Sequence, residues 1–287
     1  MRIAVTAATG QLGSAIVRAV AAQSGSENVV ALARNPANAK DLGVEVRPGD
    51  YDSRDQLEAA LGDVDHLLLV SGMAAPDERV VQHRRVIDAA RKCGVRKIVY
   101  TSVQGPETDT AFSPIVQSNR QTEEDLKASG LAWSIGRNGI YIEPDVEYAA
   151  NYVAQGEISN CAGEGRCGYT TRPELAYAYA RMLTEPNLDG KTLELSGQPI
   201  TQAELAGFLS SAFDARIVYR SMGESEYQKD RVSELGEFIG TVVAGIYQGI
   251  RRGAYDTAGD FEVAFGRPHQ TWQDYFSQIK VARQQGR

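Results

Sequence analysis

Residues 2–13 read Arg2-Ile3-Ala4-Val5-Thr6-Ala7-Ala8-Thr9-Gly10-Gln11-Leu12-Gly13. A short apolar run enters a small-residue turn. Apolar positions then recur at Leu12, Ile16, Val17 and Val20, which is helical spacing. The order is strand, tight turn, helix. Glycines at such a junction let the backbone approach a pyrophosphate, and the unpaired N–H groups at the helix start hold the anion. The spacing is that of GxxGxxG, with Gly10 and Gly13 as second and third glycines and Ala7 in place of the first. Ala7 carries a cost if its φ is positive and none if it is negative. Ala7, Thr9, Gly10, Gln11, Leu12 and Gly13 are the predicted phosphate cradle.

The same alternation continues downstream. Strands are predicted at Arg2–Thr6, Val29–Ala33, Val44–Arg47, His66–Val70, Lys97–Thr101 and Ala132–Arg137. Helical patterns fill Leu12–Ala22, Arg54–Leu61 (with Ser53 as cap), Val80–Cys93 and Ser113–Ser129. Continuous apolar runs such as LLLV suit a parallel sheet covered on both faces. The fold class is α/β, a Rossmann-type doubly wound parallel sheet with a smaller C-terminal α/β lobe. Residues 1–137 form the dinucleotide-binding domain, joined by a returning strand near 191–196. Residues 138–287 form a partly interleaved substrate lobe. Helices are predicted there at Val146–Ala154, Arg172–Leu183, Gln202–Phe213, Leu235–Arg251 and Trp272–Val281, and a short strand at Ile217–Tyr219.

The end of the second strand separates the two nicotinamide cofactors. An acidic residue there accepts from a ribose hydroxyl and repels a 2′-phosphate. This chain has Ala33-Arg34-Asn35-Pro36, and the planar fork of Arg34 suits a phosphate. NADP(H) is therefore expected in preference to NAD(H). Asp50 and Tyr51 follow the third strand, where Asp50 either bonds the adenine amine or caps a turn. Ser71 and Gly72 are expected along the cofactor ribose, and Thr101 and Ser102 near the nicotinamide.

Composition excludes other classes. There are 28 glycines in 287 residues, well above the usual share of about 7%. The net charge is −7 and no long basic run occurs, which argues against direct nucleic-acid binding and against anchoring on an anionic membrane. No apolar stretch approaches the roughly 18–20 residues of a membrane span. The N-terminal run reads as a strand rather than a signal peptide. Three cysteines and three histidines lack any metal-ligand spacing, so no metal is expected and the compartment is predicted to be cytoplasmic.

TAATGQLG, ALARNP, GDYD, QHRRVIDAARKCGV, YTS, RNGIY and TRPELA resemble the NmrA-like branch of the atypical short-chain dehydrogenase/reductase family, most of all its bacterial type 2 NADPH:quinone oxidoreductase and triphenylmethane reductase members. The resemblance runs nearly to the C-terminus, through GRPHQTWQDY. It implies direct hydride transfer from NADPH to a small acceptor with no flavin. It also implies a nicotinamide contact from Asn138-Gly139-Ile140-Tyr141 and a site role for Asn119. Family members often carry His or Lys at that last position, and an asparagine cannot relay a proton.

None of the 13 tyrosines is followed four residues later by lysine, so the tyrosine–lysine acid of ordinary short-chain dehydrogenases is absent. Quinone reduction needs mainly the positioning of acceptor over nicotinamide. The candidate catalytic residues are Tyr141, as a substrate-facing hydroxyl or else a packing tyrosine, with Asn138 in support, and Asn119. Tyr148 and Tyr152 line a pocket or belong to the core, and His83 reads as a satisfied interior or interface histidine rather than a catalyst. Cys161 and Cys167 flank a glycine-rich stretch without a clear redox pattern. The leading function is an NADPH-dependent reductase of a small electron-poor molecule such as a quinone. The alternatives are a non-catalytic NADP(H) sensor that docks on protein partners and a specialised biosynthetic reductase or isomerase. The apolar face of Leu235–Ile250 either covers a pocket or pairs two copies into a homodimer. Much of the glycine excess lies beyond residue 130, and it suggests a permissive lid over the substrate end.

Overall fold

The computed structural model describes residues 1–285. The first half lays down β1 (Ile3–Val5), α1 (Gln11–Ser24), β2 (Val29–Ala33), β3 (Glu45–Pro48), α2 (Arg54–Leu61), β4 (His66–Val70), α3 (Pro76–Lys92), β5 (Lys97–Val103), α4 (Ser113–Lys127) and β6 (Ala132–Asn138). The second half contains β7 (Ile140–Tyr141), α5 (Glu143–Glu147), α6 (Ala149–Gln155), β8 (Glu157–Asn160), β9 (Arg166–Cys167), β10 (Tyr169–Thr170), α7 (Arg172–Thr184) and β11 (Thr192–Leu195). It ends with β12 (Ile200–Thr201), α8 (Gln202–Phe213), β13 (Val218–Ser221), α9 (Glu224–Leu235), α10 (Glu237–Arg251), α11 (Phe261–Phe265) and α12 (Trp272–Gln285).

Seven strands form one sheet in the order β11-β6-β5-β4-β1-β2-β3, and every neighbouring pair is parallel. Such a sheet must be covered on both faces, because each crossover lays a helix on it. Ile3, Val5, Val29, Ala31 and Val99 pack with α1 and α7 on one face. Ala4, Val30, Leu67, Leu69 and Ile98 pack with α2, α3 and α4 on the other. The chain order turns back between β1 and β4. In open α/β sheets ligands bind outside the carboxyl ends of the strands at such a switch point.

After β6 the chain leaves the sheet, forms α7, and returns as β11 beside β6. The remaining segments build a second apolar core from Ile142, Ile158, Cys167, Tyr169, Leu205 and Trp272, among others. It is stitched by three two-stranded ladders, β7 with β10, β8 with β13 and β9 with β12.

Several elements differ from the sequence expectation. Helix α3 starts at Pro76, a turn before Val80, because Pro76 with Asp77 and Glu78 makes a favourable first turn. The single helix expected at 146–154 is two, α5 and α6, meeting at Tyr148. Helix α9 was not foreseen, since Tyr227 is its one buried side chain and its apolar period is faint. Gly236, at φ 81°, ends α9 and admits α10, so the helix expected from Leu235 begins at Glu237.

Several glycines of the second half are sites of close contact rather than parts of a permissive lid. A Cβ on Gly245 would lie 2.2 Å from the Phe112 amide nitrogen, and one on Gly165 would lie 2.0 Å from the Ile250 carbonyl oxygen. These two seat α10 against the β5–α4 connection and the segment before β9.

Candidate active site

The site is built at the carboxyl edge of the sheet, beginning with the turn after β1. Gly10 N–H donates to the Ala7 carbonyl at 3.0 Å, and Ala7 sits at φ 48°. The first-glycine position therefore does require left-handed backbone, and alanine occupies it at a cost of roughly 1 kcal/mol. A Cβ on Gly13 would lie 2.3 Å from the Ala7 oxygen, so only glycine lets the turn close this tightly. Gly10 is the N-cap of α1 and supplies no side-chain bond, and no acidic residue stands in the first turn. Thr9, Gly10 and Gln11 are exposed, while Leu12 and Gly13 are buried. An uncapped helix start with exposed turn residues is fitted to receive a phosphate. Thr6 braces the turn from below: its hydroxyl donates to Leu68 O at 3.1 Å and accepts from Val70 N–H at 2.9 Å.

At the end of β2, Arg34 is exposed, and no carboxylate pairs with it among the described residues. Asn35 instead caps a short turn, accepting from Ala37 N–H at 3.2 Å. Asp50 accepts from Asp52 N–H at 3.1 Å, the turn-capping alternative, and is half-buried. Tyr51 is drawn inward. Its hydroxyl lies 2.5 Å from Thr6 Oγ1 and 2.7 Å from Val70 O, and burial pushes its pKa up.

Past the switch point, Ser71 N–H donates to Thr101 Oγ1 at 2.9 Å, tying the loop after β4 to strand β5. Asn119, 2% exposed, accepts from Tyr100 Oη at 2.6 Å and Ser71 Oγ at 3.2 Å, and donates to Ile115 O at 2.8 Å. Its amide is a buried clamp. Ser102 turns the other way and donates to Glu123 at 2.6 Å. Glu123 is also gripped by Arg137, at 2.9 and 2.7 Å, and by Arg120 at 2.8 Å. Burial disfavours its charge, yet the Arg137 and Ser102 bonds hold its carboxyl below the usual range.

At the end of β6, the Tyr179 hydroxyl lies 2.6 Å from Asn138 Oδ1 and 2.9 Å from Gly136 O. Asn138 then donates from Nδ2 to Tyr141 Oη at 3.2 Å. That bond occupies a lone pair of Tyr141, whose own proton has no acceptor among the described residues. Burial raises the Tyr141 pKa, while Asn138 and the Arg172 guanidinium, 5.3 Å over its ring, oppose the rise. Gly139 donates its N–H to Leu195 O at 3.0 Å, and Ile140 packs into the second core.

The candidates thus fall into four groups. Thr9, Gly10, Gln11 and Arg34 are exposed on the open side, with half-buried Ala7 and buried Leu12 and Gly13 behind them. Ser71, Thr101 and Asn119 form one bonded cluster, with Gly72 beside it bonded to His83, and Asn138 and Tyr141 form another. Tyr51, Ser102, Gly139 and Ile140 have their polar groups or side chains committed inside the protein. The clamping tyrosines Tyr100 and Tyr179 were not foreseen. Each acts through an asparagine distant in sequence, so no motif spacing marks it. Cys161 and Cys167 are buried, and burial raises both thiols, Cys161 to about 11. No metal-holding group of three or more His, Cys, Asp or Glu occurs among the described residues, and no helix there is long and apolar enough to cross a membrane.

The chain matches the family described as NAD(P)H-binding over residues 7–186. It is 34% identical to quinone oxidoreductase 2 of Escherichia coli (strain K12) over 229 residues, 78% of this chain and 79% of that protein. It is 31% identical to the NmrA-like family domain-containing oxidoreductase flvB of Aspergillus flavus over 257 residues, 85% of this chain and 83% of that one. Among solved structures, triphenylmethane reductase of Citrobacter sp., complexed with NADP(H), superposes with a TM-score of 0.89 at 32% identity, covering 97% of this chain and 100% of that one. This parallel sheet with its glycine turn is therefore that of a known lineage: the chain belongs to the NAD(P)H-binding, NmrA-like family.

Proposed function

We propose that the protein is an NADPH-dependent reductase that passes hydride directly, without flavin, to a small electron-poor acceptor such as a quinone. The observation that carries this reading is the Asn138-held Tyr141 hydroxyl, with its proton uncommitted, at the same sheet edge as the uncapped start of α1. The quinone, azo and dye reductases among its relatives support a reductase role.

NADPH, when bound, supplies the hydride. The amides of Gln11, Leu12 and Gly13 hold its pyrophosphate, and Arg34 meets the 2′-phosphate. The Ser71–Thr101 cluster supports the ribose on the far side of β1. Tyr141 donates a hydrogen bond to the acceptor oxygen, which becomes anionic as hydride arrives, and solvent or the phenol then protonates it. Asn138 keeps the phenol's proton directed outward.

The test is loss of NADPH absorbance across a panel of quinones, dyes and enones, with deuteride from labelled NADPH traced into the product. Binding without oxidation of NADPH by any acceptor would sink the proposal. Arg34→Ala checks the cofactor preference. It should weaken NADPH binding by roughly tenfold or more, the value of one or two charge-assisted bonds, and leave NADH nearly unchanged.

A second reading, a non-catalytic NADP(H) sensor, is favoured by Asn119. Its amide is held by Tyr100, Ser71 and Ile115, and an amide offers no proton relay. Calorimetry separates the two: a sensor prefers one oxidation state of the cofactor and turns over none.

A further inference from the structure

His83 lies in the middle of α3 and is fully buried. Thr122 donates its hydroxyl proton to Ser118 O at 3.0 Å, so its oxygen is left to accept from His83 Nδ1 at 2.9 Å. Nδ1 therefore carries the proton, and Nε2 presents a lone pair. That lone pair accepts the backbone N–H of Gly72 at 3.1 Å. Gly72 is half-buried, and the partner of its backbone amide is a side chain from another element.

The ring is fixed on its flanks as well. Tyr51 and Tyr100 meet it edge-on, with centroids at 6.1 and 5.5 Å. Burial, and to a lesser degree Arg79, push the His83 pKa down to about 3. The imidazole stays neutral at any working pH and keeps its acceptor.

We infer that His83 is a positioning residue for the dinucleotide site, anchoring the Ser71–Gly72 loop through the Gly72 amide. The inference rests on the proposed NADPH binding and adds a direction to it. Strand β4 lies on the opposite side of β1 from β2 and β3. The adenosine end belongs over β2 and β3, so the Gly72 loop serves the nicotinamide half. His83 should therefore matter to whole NADPH and not to the adenosine fragment.

The test compares two polar variants. In His83→Gln the amide oxygen reaches the Nε2 position and keeps the Gly72 bond. In His83→Asn the shorter amide reaches only toward Thr122 and leaves Gly72 N–H unpaired. Binding of NADPH and of adenosine 2′,5′-bisphosphate is measured for both by calorimetry, with melting temperature recorded alongside. His83→Asn should weaken NADPH by roughly tenfold, the effect of one lost hydrogen bond to a half-buried amide. It should change the bisphosphate by less than about twofold, and His83→Gln should recover most of the NADPH affinity. Equal weakening of both ligands, or of neither, would overturn the inference. Wild-type protein that binds neither ligand would instead overturn the cofactor reading on which it rests.

Discussion

Two groups of glycines in this chain do opposite work. In the turn after β1, Gly13 lets the backbone fold back on the Ala7 carbonyl, and the space in front of the helix stays open. In α10, Gly245 and Gly249 face the chain: a Cβ on the first would meet the Phe112 amide at 2.2 Å, and one on the second the Tyr255 ring at 2.8 Å. On the proposed reading the first glycine serves a ligand, while the others serve a seam between elements. A high glycine count therefore does not by itself signal flexibility.

The contrast can be broken by substitution. Gly13→Val, the largest expected effect, should lower NADPH affinity at least about a hundredfold, since the displaced turn destroys the cradle; calorimetry reads it. If binding survives, the turn is not the phosphate site.

The second region has a polar liability of its own. Asp145 is 6% exposed and accepts from Tyr152 Oη at 2.9 Å, and burial pushes its pKa up to about 6. The folded state thus binds the proton more tightly than the unfolded chain. The stability this group contributes is complete below about pH 4 and lost as pH rises through about 6, a swing of roughly 3 kcal/mol. Urea denaturation from acidic to mildly alkaline pH should show that slope, and Asp145→Asn should flatten it. A slope unchanged in the variant would mean that another group titrates.

Gly245→Val should cost about 2 kcal/mol of stability by overpacking, yet leave NADPH affinity within about threefold. A loss of affinity to match Gly13→Val would erase the distinction between the two groups. The smallest effect is expected for Ala7→Gly, a gain of about 0.5 kcal/mol. Relief of the left-handed strain slightly exceeds the added freedom of the unfolded chain, and melting temperature reads the difference.

The parallel sheet was legible because burial on both faces writes β1, β2 and β4 as unbroken apolar runs. The glycine turn was legible because its geometry is local: strand, turn and helix are contiguous. Helix α9 was not, since one buried tyrosine leaves no apolar stripe to read. The asparagine clamps were half legible. Asn119 and Asn138 stand out by position, but Tyr100 and Tyr179 reach them through sheet and helix packing that no spacing encodes. The value of φ at Ala7 was equally hidden, because alanine in left-handed backbone contradicts the residue's own preference.

The placement of β11 has a consequence for synthesis. The ribosome delivers β6 first, then α5 to α7, and only then the strand that covers its edge. Until Leu195 has emerged, β6 presents unpaired amides and carbonyls to any passing strand. Because α7 packs on α1 across one face of the sheet, that face also waits for it. The nascent Rossmann half is thus an incomplete folding unit, and a chain stalled before residue 190 would be a candidate for chaperone capture rather than a smaller working domain.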